Sequence, residues 1–232
     1  MGCPHSKIES ALDRWTECHW HIHQMENNYH LPNPFRYSLN SFIRSVKEIP
    51  QLLQMGLQNS PDYQGTYKPF VDSIRSNPLF SKLSMRRDFI VHQGMLNVLS
   101  TGHIGCVEGK KVKISFRFPV SPLESSDDAY ERFKQLCRSD STIRSMVGPD
   151  RDSSPCVWRE WKIEDFPDME LLELTITAWR LIGEVISKIV VLHGGENLDL
   201  TFSCGHDPAS IKRKVFSQAD FFLSVDGIPP NT

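Results

Sequence analysis

Apolar side chains recur at three- and four-residue steps along much of the chain, which is the spacing of one face of an α-helix. Such stripes run over 8–29 and 35–53, and a further segment from about 81 or 84 to 99 has the same period. Pro50 lies inside the second stripe and predicts a kink or a break, because proline cannot donate the helical hydrogen bond. Met169–Leu192 has the longest regular stripe and predicts the clearest helix.

The middle of the chain changes to a period of two. From Val112 to Phe118, apolar and polar side chains alternate, which predicts a strand with one buried face. Gly105 and Gly109 favour a short hairpin partner just before it. Residues 198–202 alternate in the same way. Residues 119–160 are rich in Ser, Asp and Pro, so we expect a long connector that holds one short helix.

These patterns predict a mainly α fold, a bundle of four or five helices with a small inserted β element. We expect a single domain over 1–232. Its core bundle would comprise 7–102 and 167–194, joined by a β-containing segment over 103–166 and followed by a C-terminal extension over 195–232.

Composition narrows the class of protein. The 232 residues include 39% hydrophobic side chains, enough for a buried core, and the formal net charge is −2. Any contact with a nucleic acid must therefore come from a local patch rather than from a global field. The six cysteines form no CxxC pair, and we see no secretory leader or apolar run long enough to cross a membrane. We therefore expect a cytoplasmic protein with reduced thiols and no membrane partner.

One short stretch carries candidate chemistry. Arg87, Asp88 and His92 fall on the predicted helix that ends near Leu99. Asp88 and His92 are four residues apart and share a helix face, so the carboxylate can fix the tautomer of the imidazole. His92 could then take the proton of a ribose 2′-hydroxyl while Arg87 stabilises charge on the phosphate oxygens. This pair needs no metal and acts only on RNA, because DNA lacks the 2′-hydroxyl.

The spacing Arg87-Asp88-x-x-x-His92 resembles the Arg-polar-x(3–5)-His signature of the HEPN superfamily of helical-bundle ribonucleases. The stretches 25–30 and 35–43 are also similar to HEPN-like bacterial proteins. The resemblance implies a homodimer in which two motif helices line one cleft, metal-independent RNA cleavage that leaves a 2′,3′-cyclic phosphate, and a partner protein in a toxin–antitoxin or defence system. Since Arg87 and His92 lie about 140° apart on one helix, convergence across a two-fold axis would bring them together.

Other polar residues are candidate walls of the same cleft. We expect Arg86, Glu26, Tyr29 and Asn40 to contact RNA. A separate set lies on the first helix, where His19, His23, Glu26 and His30 follow steps of four, three and four. Such spacing suits a zinc site in principle, but a polar lining of the bundle explains it without a metal, and we expect neither metal nor cofactor.

Three functions remain open at this point. The first is a metal-independent endoribonuclease that uses Arg87, Asp88 and His92. The second is a non-catalytic HEPN-like module for RNA or nucleotide binding or for dimerisation. The third is a helical metal-binding protein that uses His19, His23 and Glu26.

Overall fold

A computed structural model describes residues 6–92, 96–109, 111–201 and 208–227, with only the backbone for 89–92 and 208. The chain divides into two compact units. The helical unit comprises Met1–Glu26, Arg36–Asn97 and Asp165–Cys204, and the sheet unit comprises Asn27–Phe35, Val98–Glu164 and Gly205–Thr232.

The described residues are mostly helical and include one small antiparallel sheet, which confirms the expected combination of helices with an inserted β element. In chain order the helices and strands are α1 (Glu9–Asn27), α2 (Pro32–Leu57), α3 (Lys68–Ser76), α4 (Pro78–His92), β1 (Leu99–Glu108), β2 (Lys111–Phe118), α5 (Ser126–Ser139), α6 (Ser141–Val147), β3 (Ser154–Lys162), α7 (Leu171–Leu192), α8 (Pro208–Ile211), β4 (Arg213–Val215) and α9 (Gln218–Phe221). Single π-helical turns cover Tyr63–Tyr67 and Phe222–Asp226.

The long helices follow the apolar stripes of the sequence. α7 begins two residues after the predicted start and ends at the predicted residue. α2 continues through Pro50, so the helix is not broken there. Ile49 and Leu53, on either side of the proline, are completely buried. Their burial offsets the lost hydrogen bond, because packing of an apolar face supplies most of the stability of a helix in a protein.

The sheet has the strand order β2-β1-β3-β4, and each neighbouring pair is antiparallel. The hairpin of β1 and β2 confirms the strand predicted over 112–118. Val112 on β2 is nevertheless 52% exposed, because β2 lies at the edge of the sheet. The helix predicted to reach Leu99 is wrong at its C-terminal end, since Leu99 begins β1 and pairs with Lys162 of β3.

β3 was not predicted, because a buried arginine interrupts its apolar pattern. Arg159 is fully buried, as is Trp161 two residues later, while Glu160 between them is partly exposed. The alternation of a half-buried strand is therefore present, but one of its buried positions carries a charge. The strand predicted over 198–202 does not form in the described part, since 195–201 have no regular structure and Phe202 lies outside the described residues.

One face of the sheet forms the core of its unit. Ile104 of β1 and Val157 of β3 pack with Phe133 of α5 and Phe221 of α9, and all four are fully buried. α5 begins with a capping box in which Ser125 and Asp128 each accept a hydrogen bond from the other's backbone N–H. Within the described residues, no helix is long and apolar enough to cross a membrane.

Candidate functional site

α2, α3 and α4 enclose a cleft of about 440 Å³ in the helical unit. Its lining combines apolar and polar side chains. The apolar lining includes Ile43, Val46, Pro50, Ile74, Phe80, Leu83 and Met85. The polar lining is formed by Lys47, Gln51, Arg75, Ser81, Ser84 and Asp88. The cleft therefore contains Asp88 of the predicted motif together with cations from two other helices.

Asp88 joins α4 to α2. The Nζ atom of Lys47 donates to Oδ1 of Asp88 at 2.5 Å, and a guanidinium nitrogen of Arg87 donates to the same oxygen at 3.1 Å. These two hydrogen bonds, that of Lys47 first, lower the pKa of the Asp88 carboxyl below its ordinary value. Asp88 is therefore ionised at neutral pH and holds two cations close together.

The two consecutive arginines of the motif differ in their surroundings. Arg86 forms an ion pair with Asp165, which leads into α7. Arg87 contacts Asp88, and its Nε atom is buried without a hydrogen-bond partner among the described residues. The Arg87 side chain is nevertheless 30% exposed, so part of its guanidinium is accessible to an external acceptor. Arg86 is a structural residue in this arrangement, and Arg87 is the better candidate for binding an anion.

The backbone of His92 lies in the last turn of α4, while its side chain lies outside the described residues. The hydrogen bond expected between Asp88 and His92 therefore stays a prediction. Asp88 accepts both of its described hydrogen bonds from cations, Lys47 and Arg87. The carboxylate therefore positions these two cations, a role that the sequence did not suggest.

The other expected RNA contacts are distributed over the two units. Glu26 is nearly buried and accepts a hydrogen bond from His23 at 2.7 Å. Asn40 lies on α2 with a buried side-chain oxygen that accepts no hydrogen bond from the described residues. Tyr29 belongs to the sheet unit, where it is buried and donates to the backbone carbonyl of Arg159 at 3.1 Å. Tyr29 is therefore a core residue of the sheet unit.

The histidines of the metal hypothesis have other neighbours. His19 packs edge-on against His23 and stacks on Trp179, with ring centres 4.6 and 5.0 Å away. His30 belongs to the sheet unit and bonds to Ser126 and to the carbonyl of Ile211. Across the described ranges, no group of three or more His, Cys, Asp or Glu side chains could hold a metal ion.

The described cysteines are not activated nucleophiles. Cys18, Cys106, Cys137 and Cys156 are buried free thiols. Burial raises the pKa of Cys106 to about 12 and those of Cys137 and Cys156 to about 11. At neutral pH these groups are protonated thiols, whereas the reactive form is the thiolate.

The arrangement around Asp88 suits the binding of a polyanion. Lys47, Arg75 and Arg87 supply three permanent positive charges against the one negative charge of Asp88. Lys47 and Arg75 were missed by sequence reasoning. They are 41 and 13 residues from Asp88 along the chain, and no local pattern indicates that three helices would bring them to one cleft.

Comparison with known proteins identifies a family. Residues 1–207 match the family model described as bacteriophage lambda protein ea47. No curated protein and no solved structure matches the chain. The match contradicts the resemblance to the HEPN superfamily. That resemblance depended on a motif of six residues and on the short stretches 25–30 and 35–43. An arginine and a histidine at this spacing are common on helices of unrelated proteins.

Proposed function

The chain belongs to the bacteriophage lambda Ea47 family. From its own residues, we propose that it cleaves RNA without a metal at the cleft of α2, α3 and α4. One observation carries the proposal. The carboxylate of Asp88 holds Arg87 and Lys47 within hydrogen-bond distance at a cleft that Arg75 also lines. Clustered cations at a concave surface match the charge of a phosphodiester backbone.

Arg87 is assigned to the phosphate. Its guanidinium is always charged and presents several donors in one plane, which suits the non-bridging phosphate oxygens. The Arg87 side chain is 30% exposed beside Asp88, so part of its guanidinium is accessible to a phosphate. Lys47 adds a positive charge without such directional demands, and Arg75 adds a second guanidinium to the cleft. Together they would stabilise the negative charge that develops on the phosphorane.

His92 is assigned to proton transfer. In the proposed reaction its imidazole removes the proton of the ribose 2′-hydroxyl and the 2′-oxygen attacks phosphorus. The bond from phosphorus to the 5′-oxygen of the next nucleotide breaks, and the imidazolium returns the proton to that oxygen. The products are a 2′,3′-cyclic phosphate and a 5′-hydroxyl. No metal takes part, and deoxyribose cannot supply the nucleophile.

The scaffold of the cleft is also part of the proposal. We infer a bundle of the long helices α1, α2, α4 and α7, to which the short α3 is added. Ion pairs between Arg14 and Glu48 and between Lys47 and Asp88 support the contacts of α2 with α1 and with α4. Stacking of Trp15 on Trp179 supports the contact of α1 with α7. A homodimer, a cytoplasmic location and a partner in a toxin–antitoxin or defence system stay untested predictions.

The test is incubation of the purified full chain with a single-stranded RNA in EDTA, beside the variants Arg87→Ala and His92→Ala. We expect the wild type to cleave and both variants to lose cleavage, with products that carry a cyclic phosphate. Arg44→Ala is the matched control, because Arg44 is an exposed residue of α2 that does not line the cleft. It should cleave like the wild type.

Two other results would overturn the proposal. If the wild type binds RNA in EDTA but leaves it intact, the non-catalytic binding module is the better hypothesis. If activity requires added metal, the metal-independent mechanism is wrong. The mass of the protein in solution tests the predicted dimer separately.

A further inference from the structure

A row of four side chains crosses the sheet on the face opposite the core of the sheet unit. His103 of β1 is paired with Arg117 of β2 on one side and with Trp158 of β3 on the other. Trp158 is in turn paired with Arg213 of β4. Directly paired residues of antiparallel strands project from the same face. The row therefore reads Arg117-His103-Trp158-Arg213 and spans roughly 14 Å, from neighbouring strands about 4.8 Å apart.

The next row on the same face consists of short side chains. It contains Ser115, Gly105, Cys156 and Val215, again in register across the four strands. Because these side chains are small, a shallow depression of about 230 Å³ opens beside the indole of Trp158. His103, Val112 and Ser115 complete its walls. Its volume lies below the range typical of a drug-sized ligand, so it suits a single planar ring.

This face is accessible to a partner. His103 and Arg117 are exposed, while Trp158 and Arg213 are half-buried. No ring of another described residue stacks on Trp158. Trp161, on the opposite face of the same strand, is by contrast fully buried and stacks on Phe35. β3 thus carries one tryptophan for the core and one for the outer surface.

The charge of the face is positive. Arg117, Arg213 and Lys162 contribute three cations from three different strands. The one acidic strand residue described on this face is Glu160, and Lys212 neutralises it at 3.3 Å. The chain as a whole has a net charge of −2. A local group of basic side chains on a nearly neutral protein favours a polyanionic partner at this face rather than a general attraction.

We propose that this face binds a single strand of nucleic acid, with an unpaired base stacked on Trp158 in the depression and the flanking phosphates on Arg117 and Arg213. A strand is favoured over a duplex, because stacking on an aromatic side chain requires a base that is not already paired and stacked. The arginines lie at the two ends of the row, where a backbone that crosses the sheet would pass. This site is distinct from the cleft of the helical unit and does not depend on cleavage there.

The experiment is a titration of the full chain, in EDTA, with labelled oligonucleotides of about twelve nucleotides, a length within the usual range for single-strand sites. Oligo-dT, 2′-O-methyl oligo-U and a DNA duplex are compared by fluorescence anisotropy. Neither single strand has a free 2′-hydroxyl, so both report binding whether or not the proposed cleavage occurs. We expect both single strands to bind more tightly than the duplex and to quench tryptophan fluorescence.

The variants make the assignment specific. Trp158→Ala should weaken binding of oligo-dT about tenfold or more, the fold-change that corresponds to loss of one stacked base. Trp158→Phe should retain most of the affinity, because a smaller ring can still stack. Arg117→Ala and Arg213→Ala should each weaken binding and reduce the salt dependence by about 0.7 in the logarithmic slope, the value for one phosphate contact on a single strand.

Two matched controls belong to the helical unit. Trp20 is 56% exposed on α1, and Arg180 is exposed on α7. Trp20→Ala and Arg180→Ala should bind like the wild type. The proposal is overturned if Trp158→Ala and Trp158→Phe both bind like the wild type, or if the duplex binds as tightly as the single strands. It is also overturned if the wild type binds none of the three. Circular dichroism and urea unfolding of each variant separate a loss of binding from a loss of fold.

Discussion

The indole nitrogens of Trp15 and Trp179 each donate a hydrogen bond to the backbone carbonyl of the other residue, at 3.0 and 3.3 Å. The two rings are also stacked, with centres 4.6 Å apart and planes within 9°. This reciprocal contact joins α1 to α7 across 164 residues of sequence. Each buried indole N–H thus has its acceptor on the other helix. The pair therefore fixes both the separation and the rotation of α1 and α7.

Replacing Trp15 by phenylalanine should destabilise the protein by about 2–4 kcal/mol. The variant loses one buried hydrogen bond and leaves a small cavity beside Trp179, and both effects are unfavourable. Urea unfolding at neutral pH measures the change. Trp20→Phe is the control, since Trp20 lies on the same helix but is 56% exposed, and its unfolding midpoint should be close to that of the wild type. Equal midpoints for the two variants would contradict the role given to the pair.

A second prediction concerns the buried Arg159 of β3. Its guanidinium donates to the hydroxyl of Ser100 and to the backbone carbonyls of Glu124 and Ser121, at 3.0, 2.6 and 2.9 Å. It also lies 3.7 Å from the centre of the Trp161 ring. Arg159→Met keeps the length of the side chain but leaves the two carbonyls without these donors, so we expect a loss of about 3 kcal/mol in unfolding free energy.

Arg159→Lys should restore only part of this loss, because one ammonium group cannot reproduce the planar set of donors. The matched control is Arg151→Met, at an exposed position in the same unit. Urea unfolding of the three variants provides the comparison. If the lysine variant is as stable as the wild type, the positive charge alone, rather than the planar arrangement of donors, accounts for the contribution of Arg159 to stability.

His30 should make stability depend on pH. Its Nε2–H donates to the carbonyl of Ile211 at 2.9 Å, and its Nδ1 accepts from the hydroxyl of Ser126 at 2.8 Å. Burial, the largest effect, lowers the pKa of His30 from 6.5 to about 4. Between these values the unfolded chain binds a proton that the folded chain does not. Stability from this residue is therefore complete above about pH 6.5 and is lost as the pH falls toward 4, by up to about 3 kcal/mol.

The measurement is the urea midpoint of the wild type and of His30→Gln at several values between pH 4 and 7. Glutamine is uncharged at every pH, so the difference between the two proteins removes the contribution of other titrating groups. We expect the advantage of the wild type over the variant to shrink as the pH falls. A constant difference across this range would mean that His30 is not held neutral by burial.

Asp88 gives a prediction that separates activity from stability. The Asp88→Asn variant keeps the size of the side chain but removes the charge that holds Arg87 and Lys47 together. Because half of the Asp88 side chain is exposed to solvent, the unfolding midpoint should change little. Cleavage of RNA should nevertheless fall about tenfold or more, since the cations are no longer positioned. Asp13→Asn, at an exposed position of α1, should cleave like the wild type. Normal cleavage by Asp88→Asn would remove the carboxylate from the proposed mechanism.

The sequence predicted the helical elements well because helix periodicity is local. The spacing of apolar residues in α1 and α7 depends only on near neighbours in the chain, so the stripes could be read directly. The same reasoning found the hairpin strand β2. The periodicity did not predict β3, because buried Arg159 is a charged residue at a core position. It also extended α4 too far, because Leu99 pairs with Lys162 in the sheet and belongs to a strand.

The sequence by itself thus determined the helices, the apolar faces they bury and the presence of Arg87 and Asp88 on one of them. Only the tertiary structure decided which cations from other elements lie beside Arg87 and Asp88. Lys47 reaches Asp88 from another helix, and the row Arg117-His103-Trp158-Arg213 is built from four strands. The physical reason is that strand register and helix contacts are set by pairings between distant segments, which no local pattern encodes.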